Sequence, residues 1–277
     1  MNLDEISKKL YDEEIIKSGL VFKFWVKFNS LDKKLKTGEY LIDNHTSIAK
    51  LTTKIVKGIS IKHFIRIPEG STKYQLVEKI KKIRPLDKEI KINQIPDNLI
   101  ADTYAYTIND DSFDIIKILT NKSKELGKIV WKNRDTSIPL KSIDELFILS
   151  SIVEKETASE NEKKIISRVF YNRMNANMRL QSDPTVIYAI SNGKRLNRKL
   201  TKSDLDIKSN YNTYKIKGLP PSTISIPGIK TLEATANPEI NNFYYFVSNG
   251  NGTHSFSENY SQHLERVKIY RELINNE

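Results

Sequence analysis

Apolar positions recur three and four residues apart across 142–174, SIDELFILSSIVEKETASENEKKIISRVFYNRM, the strongest helical pattern in the chain. Ser142 with Glu145 three residues on reads as a capping box, so the helix is predicted to begin there. Leu146, Leu149 and Val153 step along one face, with Phe147 and Ile152 beside them, and Glu156 falls at the next stripe position. Glu154, two residues earlier, is rotated by about 200° and is predicted to face the other way. Ser159 with Glu162 reads as a second capping box, opening a stripe of Ile166, Val169, Phe170 and Arg173 or Met174. The pattern therefore predicts two helices with Glu156 at the corner between them. Asp183 and Pro184 follow as N-cap and N1 of a third, short helix ending before Gly193.

Before this stretch the elements are smaller. Asn2 or Asp4 opens a helix through Tyr11, and Ser18 begins another that contains Leu20, Val21, Phe24, Trp25 and Phe28. Gly38, Glu39 and Tyr40 begin a short extended segment. Thr46 is the predicted cap of a helix carrying Ile48, Leu51, Ile55 and Val56, with Gly58 as its stop. Ile59, Ile61, Ile65 and Ile67 then alternate with Ser60, Lys62, Phe64 and Arg66, the period of a half-buried strand. Pro68, Glu69 and Gly70 make a turn, Ser71 begins the helix TKYQLVEKIKKI, and a further helix runs from Asp114 toward Trp131. Near the end, Asn249 to Gly252 form a hairpin turn that places His254 just inside the second strand, and a helix around Leu264 to Leu273 closes the chain. The fold class is α+β, in three stretches: an α/β region over 1–83, a linking subdomain over 84–140 and a helix-rich domain with a β-hairpin over 141–277.

Composition narrows the function by exclusion. The net charge is +11, but the lysine excess is spread over both halves, and the chain has neither an aromatic RNP run nor a zinc finger. A solvated basic surface, or generic attraction to an anionic envelope, accounts for the charge better than a nucleic-acid partner. No apolar run approaches the ~20 residues of a membrane helix. The best, Leu20 to Phe28, is broken by Lys23 and Lys27, and no signal peptide is visible. With no cysteine, disulfides and thiol chemistry are excluded. His45, His63, His254 and His263 show no paired metal-ligand spacing, and neither a GxSxG elbow nor a phosphate-binding glycine loop is present.

Carboxylate chemistry remains. A glutamate ending an apolar stripe is either solvated where the helix frays at Thr157, or partly desolvated, with its pKa raised toward neutrality as a general acid requires. Gln181, Asp183, Tyr211, Asn212, Tyr214 and His254 add amide, hydroxyl and aromatic groups that suit a polyhydroxylated ligand. Each also has a structural reading, Asp183 as a helix cap and His254 as a satisfied hairpin residue. Trp25 and Trp131 could stack on sugars, but both lie in helical stripes, which predicts core packing.

The runs IVEKET, VFYNRM, MRLQSDPTVIYA, YNTYKIKGLPPS, IPG, NP and FYYFVSNGNGTHSFS resemble the YceG-like (MltG) family of endolytic murein transglycosylases, densely from Ser142 onward and more loosely before it. The resemblance implies a lyase that cuts the β-1,4 bond between N-acetylmuramic acid and N-acetylglucosamine, leaves 1,6-anhydro ends and terminates nascent strands. It implies one catalytic glutamate, placed at Glu156 because Thr157 matches the family's small hydroxyl residue, with Glu154 as the competing assignment. Gln181, Asp183, Tyr211, Asn212, Tyr214 and His254 are then the expected substrate contacts, without cofactor or metal. The implied partners are glycan strands and peptidoglycan synthases, with no nucleic acid. The implied location is the extracytoplasmic (periplasmic) face of the inner membrane, reached through an anchor that this chain does not contain. The region 1–83, with KTGEYLI and IPEGSTKYQLVEKI, resembles a LysM-like module, a glycan-binding fold. Three positions depart from the family pattern: Ala101 where proline is common, Ser222 where the family has glycine after the paired prolines, and Ile226 before Pro227. The alternative of a different class is a peptidoglycan-binding or scaffold protein without turnover.

Overall fold

The computed structural model describes residues 2–43, 46–83 and 90–275. His45 and the predicted start of the linking stretch at 84 lie outside them. Two compact units are present: Met1–Ile65 with Ala105–Ile115, and Arg66–Tyr104 with Ile116–Glu277. The stretches expected from the sequence do not coincide with them, because 66–104 and 116–140 group with the helix-rich region.

The smaller unit holds α1 (Leu3–Asp12), α2 (Gly19–Phe28) and α3 (Ile48–Lys57). Asn2 and Glu5 close a full capping box on α1, and Ser18 caps α2. The cap of α3 is Ser47, whose hydroxyl accepts from Lys50 N at 3.3 Å, one residue beyond the predicted Thr46. Gly58 ends α3 at φ 69°. Leu10, Ile16, Phe22, Val26, Leu51 and Ile55 form this unit's core. Trp25 is not part of it, standing 38% exposed on the outer face of α2. The strand β1 covers only His63–Arg66. Ile59 and Ile61 are not in it, because the Ile59 N–H bonds Lys54 O at the end of α3 and Ile61 N bonds Glu39 O. β1 pairs with β2 (Thr103–Tyr106), and the division between the units passes through both strands.

The larger unit contains α4 (Lys73–Ile83), most of α5 (Ser112–Lys132), α6 (Ile143–Glu156), α7 (Glu160–Asn175), α8 (Asp183–Ser191), α9 (Ile229–Ala236), the hairpin β3 (Tyr245–Ser248) and β4 (His254–Ser257), and α10 (Tyr260–Asn275). The apolar stripe of α6 is wholly buried at Leu146, Phe147, Leu149, Ile152 and Val153, against Ile166 and Phe170 of α7 and Leu232 of α9. Ser142 caps α6, but the Glu145 carboxylate takes the N–H of Lys141 at 2.6 Å rather than that of Ser142. Thr72, not Ser71, caps α4, with Gln75 reciprocating. Ser71 is occupied instead in backbone pairing with Ile226. Ala101 donates its N–H to Pro227 O at 2.8 Å, a bond that a proline at that position could not make. Trp131 packs on the core with the Arg134 guanidinium 3.8 Å from its ring. Among the described residues no helix is long and apolar enough to cross a membrane.

Candidate active site

Glu156 is the last residue of α6, and Thr157 breaks the helix by turning extended at φ −143° and ψ 141°. On the same face as Val153, the half-buried carboxyl is held by the Ser182 hydroxyl instead of fraying into water. Burial pushes its pKa from 4.5 up to about 7, and the Asp183 carboxylate adds to the rise. A hydrogen bond donated by the Ser182 hydroxyl and the charge of Arg173 pull against that rise without cancelling it. Of the two sequence readings, the desolvated one holds.

Ser182 is the N-cap of α8, so Asp183 and Pro184 sit one position further into the helix than predicted. Its hydroxyl makes no capping bond and serves Glu156 instead. The segment is fixed from behind by two buried threonines. Ser182 N donates to Thr213 Oγ1 at 3.0 Å, Thr185 Oγ1 donates to Ser182 O at 2.6 Å, and the two threonine hydroxyls meet at 2.8 Å. Gln181, at φ 49°, turns the chain into this clamp. Asp183 accepts from the Tyr214 hydroxyl at 2.6 Å.

Arg173 sits on the α7 stripe, 6% exposed, with Nε donating to Tyr244 O and Nη1 to Leu180 O, both at 2.6 Å. Its guanidinium lies 5.4 Å from the Tyr245 ring, which stacks in turn on His263 at 5.1 Å. The predicted capping box at Ser159 does not form. The Glu162 carboxylate accepts from His254 N and faces His254 Nδ1, each at 2.8 Å, and takes the Thr157 hydroxyl at 3.2 Å. Glu162 therefore ties the corner after Glu156 to the start of β4. With Nδ1 engaged by the Glu162 carboxylate, Nε2 is the ring nitrogen still available to a ligand.

Glu156, Arg173, Gln181, Asp183, Tyr214, Tyr245, His254 and His263 line one cleft of about 450 Å³. Five of the seven expected site residues thus meet there. Tyr211 and Asn212 do not. The Tyr211 hydroxyl contacts Ser222 Oγ at 2.6 Å and its ring packs on Tyr188. Ser222 does not adopt positive φ, so serine in place of glycine is accommodated. Asn212 is fully buried, donating to Leu205 O and Ile207 O and accepting from Tyr214 N at 2.9 Å, which makes it a brace for the loop that presents Tyr214. Sequence reasoning missed Ser182, Tyr245, His263 and the role of Arg173. The only signal for them was an arginine at an apolar stripe position.

Glu154 points away, as its rotation predicted. Its carboxylate takes Gly228 N at 2.9 Å, the Thr231 hydroxyl at 2.5 Å and Lys163 Nζ at 3.3 Å, joining α6 to α7 and the first turn of α9. Among the described residues no group of three or more His, Asp or Glu side chains is placed to hold a metal ion.

The model of the YceG-like family matches residues 1–269. The chain belongs to the YceG-like family. The endolytic murein transglycosylase of Bacillus subtilis is 31% identical, over 97% of this chain and 82% of its own length. That of Streptococcus pneumoniae is 26% identical over 89% of this chain, which spans only 52% of that relative. The crystal structure of a YceG-like protein from Listeria monocytogenes superposes with a TM-score of 0.61 at 28% identity, covering 95% of both chains. The mixed architecture of helices and small sheets is thus shared with a solved YceG-like protein.

Proposed function

We propose that this chain is a lytic transglycosylase that cuts within peptidoglycan glycan strands, with Glu156 as both acid and base. The observation that carries the reading is a carboxyl raised to about 7 in a cleft walled by hydroxyl, amide, imidazole and aromatic groups. Near neutral pH a substantial fraction of Glu156 is protonated, as a general acid needs. It gives its proton to the oxygen between N-acetylmuramic acid and N-acetylglucosamine, and the C1–O bond breaks. The muramoyl N-acetyl oxygen stabilises the positive C1 centre, so a second enzyme carboxylate is not needed as nucleophile. The Glu156 carboxylate then takes the proton of the muramoyl 6-hydroxyl as O6 bonds C1. The product is a 1,6-anhydro end, no water is consumed, and Glu156 ends protonated as it began.

Ser182 orients the carboxyl and steadies its charged interval. Gln181, Asp183, Tyr214 and His254 position the sugar, and the Tyr245 ring offers it an apolar face. The LysM-like region over 1–83 holds the glycan strand, and the enzyme acts outside the cytoplasmic membrane beside peptidoglycan synthases, ending nascent strands. The names of the relatives support the substrate and the reaction type. Digestion of purified sacculi tests the reading: soluble muropeptides with anhydro ends are expected, and binding to sacculi without release would leave a scaffold protein instead.

A further inference from the structure

One face of α2 is apolar and uncovered within its own unit. Phe22 and Val26 are fully buried, while on the opposite arc Leu20, Val21, Phe24, Trp25 and Phe28 are 75, 55, 71, 38 and 76% exposed. Phe24 and Phe28 stack on each other at 5.9 Å, so the two rings present one continuous surface. Five large apolar side chains left in water on a ten-residue helix form a patch of the kind that marks an interaction site.

The charge around it indicates what covers it. From Lys17 to Lys36 six lysines stand against one acid, Asp32. Lys23 and Lys27 lie on α2 itself; Lys27 is exposed, whereas Lys23 is half-buried and ion-paired with Asp4 of α1 at 2.9 Å. Phenylalanine, tryptophan and leucine bordered by lysines whose long stems can reach outward match the headgroup region of an anionic bilayer, which takes rings at its boundary and ammonium groups at its phosphates. A second copy of the chain fits less well, since a two-fold contact through this face would bring the lysine borders of both copies together.

We propose that the outer face of α2 docks on an anionic membrane surface, inserting Leu20, Phe24 and Phe28 at headgroup depth with Lys27 on phosphates. This contact is separate from the glycan cleft and does not depend on the reaction assigned to it.

Co-sedimentation of the full chain with vesicles tests the proposal, using equimolar phosphatidylglycerol and phosphatidylcholine against phosphatidylcholine alone. The chain is expected to pellet with the anionic vesicles and to be released by salt. In a Trp131→Phe background, Trp25 emission is expected to shift to the blue on binding. Phe24→Ser with Phe28→Ser should weaken partitioning roughly tenfold or more, with unchanged helical content. Lys27→Glu should reduce the preference for anionic vesicles. No pelleting with anionic vesicles at low salt would overturn the proposal, as would equal binding by the serine double variant. A wild-type dimer that the double variant dissolves into monomers would assign the face to a second copy.

Discussion

Glu156→Gln should uncouple the stability of the protein from pH in a window set by the cleft. The native carboxyl titrates at about 7 against an ordinary 4.5, so between those values the folded state keeps a proton that the unfolded chain has released. Where the native state binds more protons, stability falls as pH rises. The contribution of Glu156 is therefore fully present below pH ~4.5, declines through the window and is lost above ~7. The full difference corresponds to ~3 kcal/mol, at 1.36 kcal/mol per pKa unit. Solvent reaching the cleft and the narrower interval between pH 5 and 8 bring the observable change to about 2 kcal/mol. Glutamine keeps the shape and cannot ionise, so it removes this slope. The assay is urea unfolding of wild type and Glu156→Gln at both pH values, followed by helical circular dichroism. The variant should gain about 2 kcal/mol relative to wild type on going from pH 5 to pH 8. A difference between the two proteins that does not move with pH would refute the claim that Glu156 is desolvated.

Two further outcomes follow from the same geometry. Ser182→Ala removes the hydroxyl that favours the charged form of Glu156, worth ~1.5–3 kcal/mol for a bond to a charged group, so the alkaline limb of kcat/KM for strand cleavage should move up by roughly a pH unit or more; Ser182→Thr should restore it, and an unmoved limb in the alanine variant would contradict the assignment. Glu154→Gln weakens the anchor of Gly228 and leaves Lys163 nearly buried without its closest partner, so a thermal or urea melt should show a loss of ~2–4 kcal/mol, with cleavage by the folded fraction retained.

The readable parts of this molecule were those in which a local pattern decides the structure. The α6 stripe and the opposed directions of Glu154 and Glu156 follow from helical period alone, and its cap at Ser142 follows from residue type. The hairpin turn is readable for the same reason, because Gly250 and Gly252 supply the positive φ that it needs. Misreadings arose where a local pattern was overridden by a distant partner. Ser159 and Glu162 have capping-box spacing, yet Glu162 is taken by His254, 92 residues further on. Ser182 and Asp183 are both good caps by residue type, and the buried Thr185–Thr213 pair decides which of them turns toward Glu156. Asn212 and Tyr214 look equivalent in YNTY, but burial of the amide against two carbonyls leaves only the tyrosine for the cleft. Trp25 lies on a helix whose sequence is apolar nearly all round, and period alone could not say which arc the small core would cover.

Mass spectrometry of products from uncrosslinked glycan strands, comparing wild type, Glu156→Gln and Glu154→Gln, tests the central claim most directly. The account predicts 1,6-anhydro-muramic ends from wild type and from folded Glu154→Gln, and none from Glu156→Gln. Reducing ends from the wild type, or anhydro ends that persist in Glu156→Gln, would contradict it.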